Sequence, residues 1–170
     1  EEQETLRLVA AGALLALLVI YALMAVPLGS YVQPLVIMSV IPFGVIGAVM
    51  RHLAFGMAAS LVSLMGCIAL AGVVVNDSLI MVDFVNEAVA RGRPRAEAAV
   101  EAGAKRFRAI MLTSMTTFFG LVPMMLESSG AASFMKPMAV SLAFGILFAT
   151  VITLVLIPCL YVILDDLAAL

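Results

Sequence analysis

Five apolar runs, each close to the length that crosses a bilayer, leave this sequence few folds to choose from. They lie at Leu8 to Val26, Pro34 to Met50, Ala58 to Phe84, Ala109 to Leu126 and Met138 to Leu164, separated by clusters of Pro, Gly and charged residues. A helix needs about 20 apolar residues to cross the hydrocarbon core. No water reaches an unpaired amide there, so each run is expected to be helical. Composition agrees, because a chain of 170 residues that is 65% hydrophobic and 12% charged has too little polar surface to coat a water-soluble globule. The expected fold class is all-α integral membrane, a single transmembrane helical domain over 1–170 with five transmembrane helices plus a cytoplasmic amphipathic helix.

The connections "PLGSYVQP", "RHLAFG" and "ESSGAASFMKP" are short, which makes consecutive spans antiparallel neighbours. The segment 85–108 differs. It holds Arg91, Arg93, Arg95, Lys105, Arg106 and Arg108, six of the nine basic residues in the chain, and Lys and Arg accumulate on the cytoplasmic side. With this loop inside, the N-terminus is outside, "LDDLAAL" is inside, and Arg7, Arg51 and Lys136 fall on the far side. Ala96, Val100, Gly103, Phe107 and Ile110 recur at helical spacing between the charges, the pattern of an amphipathic helix lying under the bundle, with Pro94 suited to its first turn. Cys67 and Cys159 sit in apolar runs and read as packing residues. His52, with no other ligand at metal spacing, reads as an interfacial residue. No metal, cofactor or nucleic-acid partner is expected.

Within the third run, "GVVVNDSLIMVDFV" places Asn76, Asp77 and Asp83 among apolar neighbours. If the helix leaves the membrane near Phe84, a rise of about 1.5 Å per residue sets Asp77 roughly 10 Å inside the boundary. An Asp at the bilayer centre costs about 3 kcal/mol on insertion scales, and such residues face a bundle interior or an aqueous cavity and mark ion pathways. Asp83, near the interface, is the weaker candidate. The fourth run begins "RFRAIMLTSMTTFFG", and the same rise puts Thr113 about 8 Å inside the same boundary. Thr113, Thr116 and Thr117 share a face, with Arg106 one heptad below. Such hydroxyls also commonly bond back to their own helix. Asp77, Asn76, Thr113 and Arg106 are the candidate proton-relay residues, with Asp83, Ser78 and Thr117 secondary. Asp77 is expected to hydrogen-bond to Asn76, Ser78 or a hydroxyl of the fourth span.

Four stretches carry a resemblance: "YALMAVPLGSYVQPLVIMSVIPFGVIGAVM", "GVVVNDSLIMVDFVNEAVARG", "AVEAGAKRFRAIMLTSMTTFFGLVPMMLE" and "PMAVSLAFGILFATVITLVLIPCLY". In order and without a gap they are similar to the C-terminal membrane half, helices eight to twelve, of the resistance-nodulation-division exporters of Gram-negative bacteria. The resemblance implies a homotrimeric, multi-pass inner-membrane pump that uses protons as coupling ion and exports drugs or small molecules with a periplasmic adaptor and an outer-membrane channel. It implies a secondary transporter and not an enzyme. Asn76 falls where many of these exporters carry a Lys and Asp77 where they often carry Asn, so the charge balance differs from the Lys-type pumps. Thr113 and Arg106 match the family's Thr and Arg on helix eleven. The N-terminal half of such a transporter is missing from this sequence, which reads as a piece of a longer protein and is expected to be inactive alone. Two other readings stay open: the protein-export pair SecD and SecF, whose "ND" motif resembles "NDSLIMVDF", and a stand-alone five-helix interaction or sterol-sensing-type module.

Overall fold

The computed structural model describes residues 2–54, 56, 60–127 and 129–168. Among them are six helices and no strand: α1 (Glu2–Leu28), α2 (Val32–Met38), α3 (Ile41–Ala54), α4 (Leu61–Ala90), α5 (Arg95–Leu126) and α6 (Gly130–Ala168). By length and hydropathy they give five candidate spans, Gln3–Leu28, Val32–Ala54, Leu61–Ala90, Arg95–Leu126 and Ser133–Leu164. The all-α, five-span class therefore holds.

Two expectations need correction. The second span is broken in mid-course: α2 ends at Met38, Ser39 and Val40 form a turn, and α3 restarts at Ile41. Pro42 falls in the first turn of α3, where its missing N–H costs nothing. The segment 85–108 is not a loop with a separate helix beneath the bundle. α4 runs on to Ala90, Gly92 turns the chain at φ 86°, and α5 starts at Arg95 and continues through the membrane run without interruption. Its buried face there is Ala98, Ala99 and Ala102, whereas Val100 is 66% and Phe107 53% exposed. Small side chains on that face let α5 lie close to its neighbours, which outweighs the larger apolar side chains as the choice of packing surface.

α4 and α6 form the centre. Half of α4's apolar window is buried against 6% of α1's, so α1 lies at the edge and presents Leu14, Leu15, Leu18 and Leu23 outward. Close approach comes from glycine: a Cβ on Gly66 would stand 2.6 Å from the Met138 carbonyl oxygen. Packing at small residues is a main source of helix association in lipid, where burial gains nothing over acyl chains. α4 begins with a reciprocal cap in which Ser60 Oγ accepts from the Ser63 amide at 3.2 Å and Ser63 Oγ from the Ser60 amide at 2.8 Å. Near its other end, Asn86 and Gln33 exchange two amide hydrogen bonds of 2.9 Å, pinning α4 to the start of α2.

Candidate functional site

α4 and α5 are fastened where the Phe84 ring lies under the Arg106 guanidinium, 5.2 Å from the ring centre, with Lys105 at 5.7 Å. Lys105 also holds Glu101 at 2.6 Å, and Arg93 holds the same carboxylate at 2.5 Å; Arg91 pairs with Glu87. The basic turn is thus a set of ion pairs around the α4–α5 corner. Arg106 is half-buried, and its Nε has no hydrogen-bond partner among the described residues.

From this fixed point, eight residues along α4 lead to Asn76 and seven along α5 lead to Thr113. At 1.5 Å per residue both lie about 10 to 12 Å further into the apolar slab. The structure sorts the polar residues at this level by direction. Asn76 and Asp83, one heptad apart, share the exposed side of α4. Asp77 and Ser78 point inward at 5% and 0% exposure. Adjacent helical positions differ by about 100°, so Asn76 and Asp77 present to different surroundings.

On α5, Thr113 and Thr116 are exposed and Thr117 half-buried. All three donate to carbonyls of their own helix: Thr113 to Ala109 at 3.0 Å, Thr116 to Leu112 and Thr113 at 2.9 Å each, and Thr117 to Thr113 at 2.9 Å. Ser78 donates to the Val74 carbonyl at 2.8 Å. The expected hydrogen bond from Asp77 to Asn76, Ser78 or a fourth-span hydroxyl is not formed, and Asp77 has no partner among the described residues. The hydroxyls that do point inward on α5 and α6 are others. Ser114 and Thr150 share a 2.5 Å hydrogen bond at 1% and 4% exposure, with Thr153 buried nearby in sequence at 1%. Ser114, which the sequence does not set apart from Thr113 beside it, is the inward hydroxyl of α5. The only available signal was the matching pair Thr150 and Thr153 on one side of the last span.

His52 lies in the last turn of α3, turned inward against the protein. It is 7% exposed. Both cysteines are free thiols, Cys67 half-buried and Cys159 exposed, and among the described residues no cluster of three or more His, Cys, Asp or Glu is placed to hold a metal ion.

Fold and site together define a multi-pass, all-α membrane protein with polar side chains set into two adjacent spans, some turned inward and some out. The sequence profile of the AcrB/AcrD/AcrF family matches residues 1–165. Multidrug resistance protein MdtC of Proteus mirabilis is 34% identical over 164 residues, which cover 96% of this chain and 16% of that protein. MdtC of Pectobacterium atrosepticum is 35% identical over 155 residues, 91% of this chain and 15% of that one. A solved structure of a heavy metal efflux pump superposes with a TM-score of 0.79 at 29% identity, over 88% of this chain and 15% of the pump. The chain belongs to the AcrB/AcrD/AcrF family of resistance-nodulation-division efflux transporters. It spans about a sixth of the length of these relatives.

Proposed function

We propose that the chain is the second membrane half of a proton-driven exporter of drugs or other small molecules, and that Asn76, Asp77, Thr113 and Arg106 supply its part of the proton relay. One observation carries this reading: Asn76 and Thr113 stand exposed on the bundle surface at one depth inside the apolar slab, beside a buried Asp77. Lipid offers the Asn76 amide no hydrogen-bond partner, and an unsatisfied polar group in hydrocarbon costs several kcal/mol. That face is therefore covered by protein or wetted by water, and the other membrane half of the transporter is what covers it. Asp83 shares the face closer to the basic turn and plays the lesser part; Ser78, buried, and Thr117, half-buried, lie off that exposed face and are secondary.

In this reading the basic turn is cytoplasmic and both ends of α4 follow: Ser60 lies at the periplasmic side, with the N-terminus, and the C-terminus is cytoplasmic. The complete protein works as an inner-membrane homotrimer with a periplasmic adaptor and an outer-membrane channel. The family match through residue 165 favours this over the protein-export pair and over a free-standing module. Alternating access moves one bundle against another around a shared site, so this half alone has no second bundle to move. Proteoliposomes holding the complete protein should export a dye under an imposed proton gradient, and those holding only these 170 residues should not. Gradient-driven export by the 170-residue chain that disappears in Asp77→Asn would overturn the reading.

A further inference from the structure

At the end of α4 remote from the basic turn, a cavity of about 510 Å³ opens between α1, α3, α4 and α6. Ligand sites commonly fall between about 300 and 1,000 Å³ and combine an apolar lining with a few placed polar groups. This one is walled by aliphatic side chains from Leu6 to Leu64, with polar groups from His52, Ser60, Ser63, Cys67 and Ser141. Nearly all of those polar groups are already occupied. Ser60 and Ser63 cap each other, Ser141 donates to the Pro137 carbonyl at 2.9 Å, and Cys67 contributes only a thiol, a weak hydrogen-bonding group.

His52 is the exception. Its Nδ1 lies 3.0 Å from the Ala48 carbonyl oxygen. A carbonyl can only accept, so in the neutral ring the proton sits on Nδ1 and Nε2 is left with a bare lone pair. Nε2 is buried and has no hydrogen-bond partner among the described residues, on a side chain only 7% exposed. A buried acceptor without a donor is destabilising, and a bound donor would recover that cost. Among the described residues no Asp, Glu, Lys or Arg lines the cavity, so a charged ligand would lack a counter-charge, and the volume far exceeds a metal ion.

We propose that this cavity binds a small, neutral, largely apolar molecule bearing a hydroxyl group, a lipophilic phenol or alcohol, whose O–H donates to His52 Nε2. The site is independent of the proton-relay residues and stands or falls without them. The probes are 1-naphthol and its methyl ether, 1-methoxynaphthalene, which keeps the ring system and loses the donor. Saturable binding to the full chain in lipid nanodiscs is measured after subtracting partition into empty nanodiscs. One neutral hydrogen bond is worth about 1 kcal/mol net, so naphthol should bind roughly fivefold more tightly than the ether. His52→Phe, which keeps a ring and removes the acceptor, should bring naphthol down to the ether's affinity. Leu64→Trp, filling the cavity, should weaken both probes. Equal affinity of the two probes for the unaltered protein, an undiminished preference in His52→Phe, or the absence of any saturable component would each overturn the proposal. The comparison of the two probes needs no variant and is immune to misfolding of His52→Phe.

Discussion

Gly66 offers a quantitative check on how α4 and α6 are held together. A Cβ there would stand 2.6 Å from the Met138 carbonyl oxygen, 3.1 Å from its Cα and 3.0 Å from Ser141 Cβ, against the 3.4 Å where ordinary contact begins. The nearest obstacle is backbone, which cannot rotate away, so Gly66→Ala must part the helices by about 0.8 Å. Overpacking of this kind costs about 1–3 kcal/mol. Replacing Gly by Ala inside a helix also returns about 0.5–1 kcal/mol of backbone entropy, and this must be separated from the clash. Gly72, on the same helix, has nothing within 4 Å of the point where a Cβ would stand. It supplies the control, since Gly72→Ala gains the entropy without the clash. Denaturant unfolding of the 170-residue chain in detergent should place Gly66→Ala about 1–3 kcal/mol below Gly72→Ala. A gap under about 0.5 kcal/mol, or a reversed order, would refute the α4–α6 contact as the basis of packing.

The Ser114–Thr150 bond predicts a non-additive pair: Ser114→Ala or Thr150→Val alone should each cost about 0.5–2 kcal/mol, and the double variant less than their sum. Strict additivity in the same unfolding assay would mean the two hydroxyls are not partners. For orientation, Arg93→Cys in the complete protein should react with a membrane-impermeant maleimide only when the cytoplasmic face is opened; labelling from the periplasm would invert the topology.

How far the sequence could be read varied with the physics behind each feature. The spans were legible because hydrocarbon thickness demands runs of about 20 apolar residues. The continuity of α5 was not, because the charge density of 91–108 resembles a solvated loop; only the structure shows that Glu101 and Lys105 pair along one continuous helix. The break at Ser39–Val40 was signalled by Pro42 but not by any loss of hydrophobicity. At the candidate site, depth was readable from residue counts, whereas direction was not. α4 is apolar on nearly every face, so nothing in its periodicity tells which of the neighbours Asn76 and Asp77 looks inward. For the same reason Thr113 stood in for Ser114. His52 meets only the Ala48 carbonyl within its own sequence neighbourhood, and the place of its Nε2 in a buried wall depends on α1 and α6 converging there.

In the proposed function Asp77, and not merely any acid on α4, serves proton coupling. It is tested most directly by dye export from proteoliposomes of the complete protein under an imposed proton gradient, with Asp77→Ala and Asp83→Ala compared at matched protein levels. Export should fall to about a tenth or less in Asp77→Ala, the loss of roughly 1.4 kcal/mol or more of coupling, and stay near normal in Asp83→Ala. Near-normal export from both variants would contradict the account.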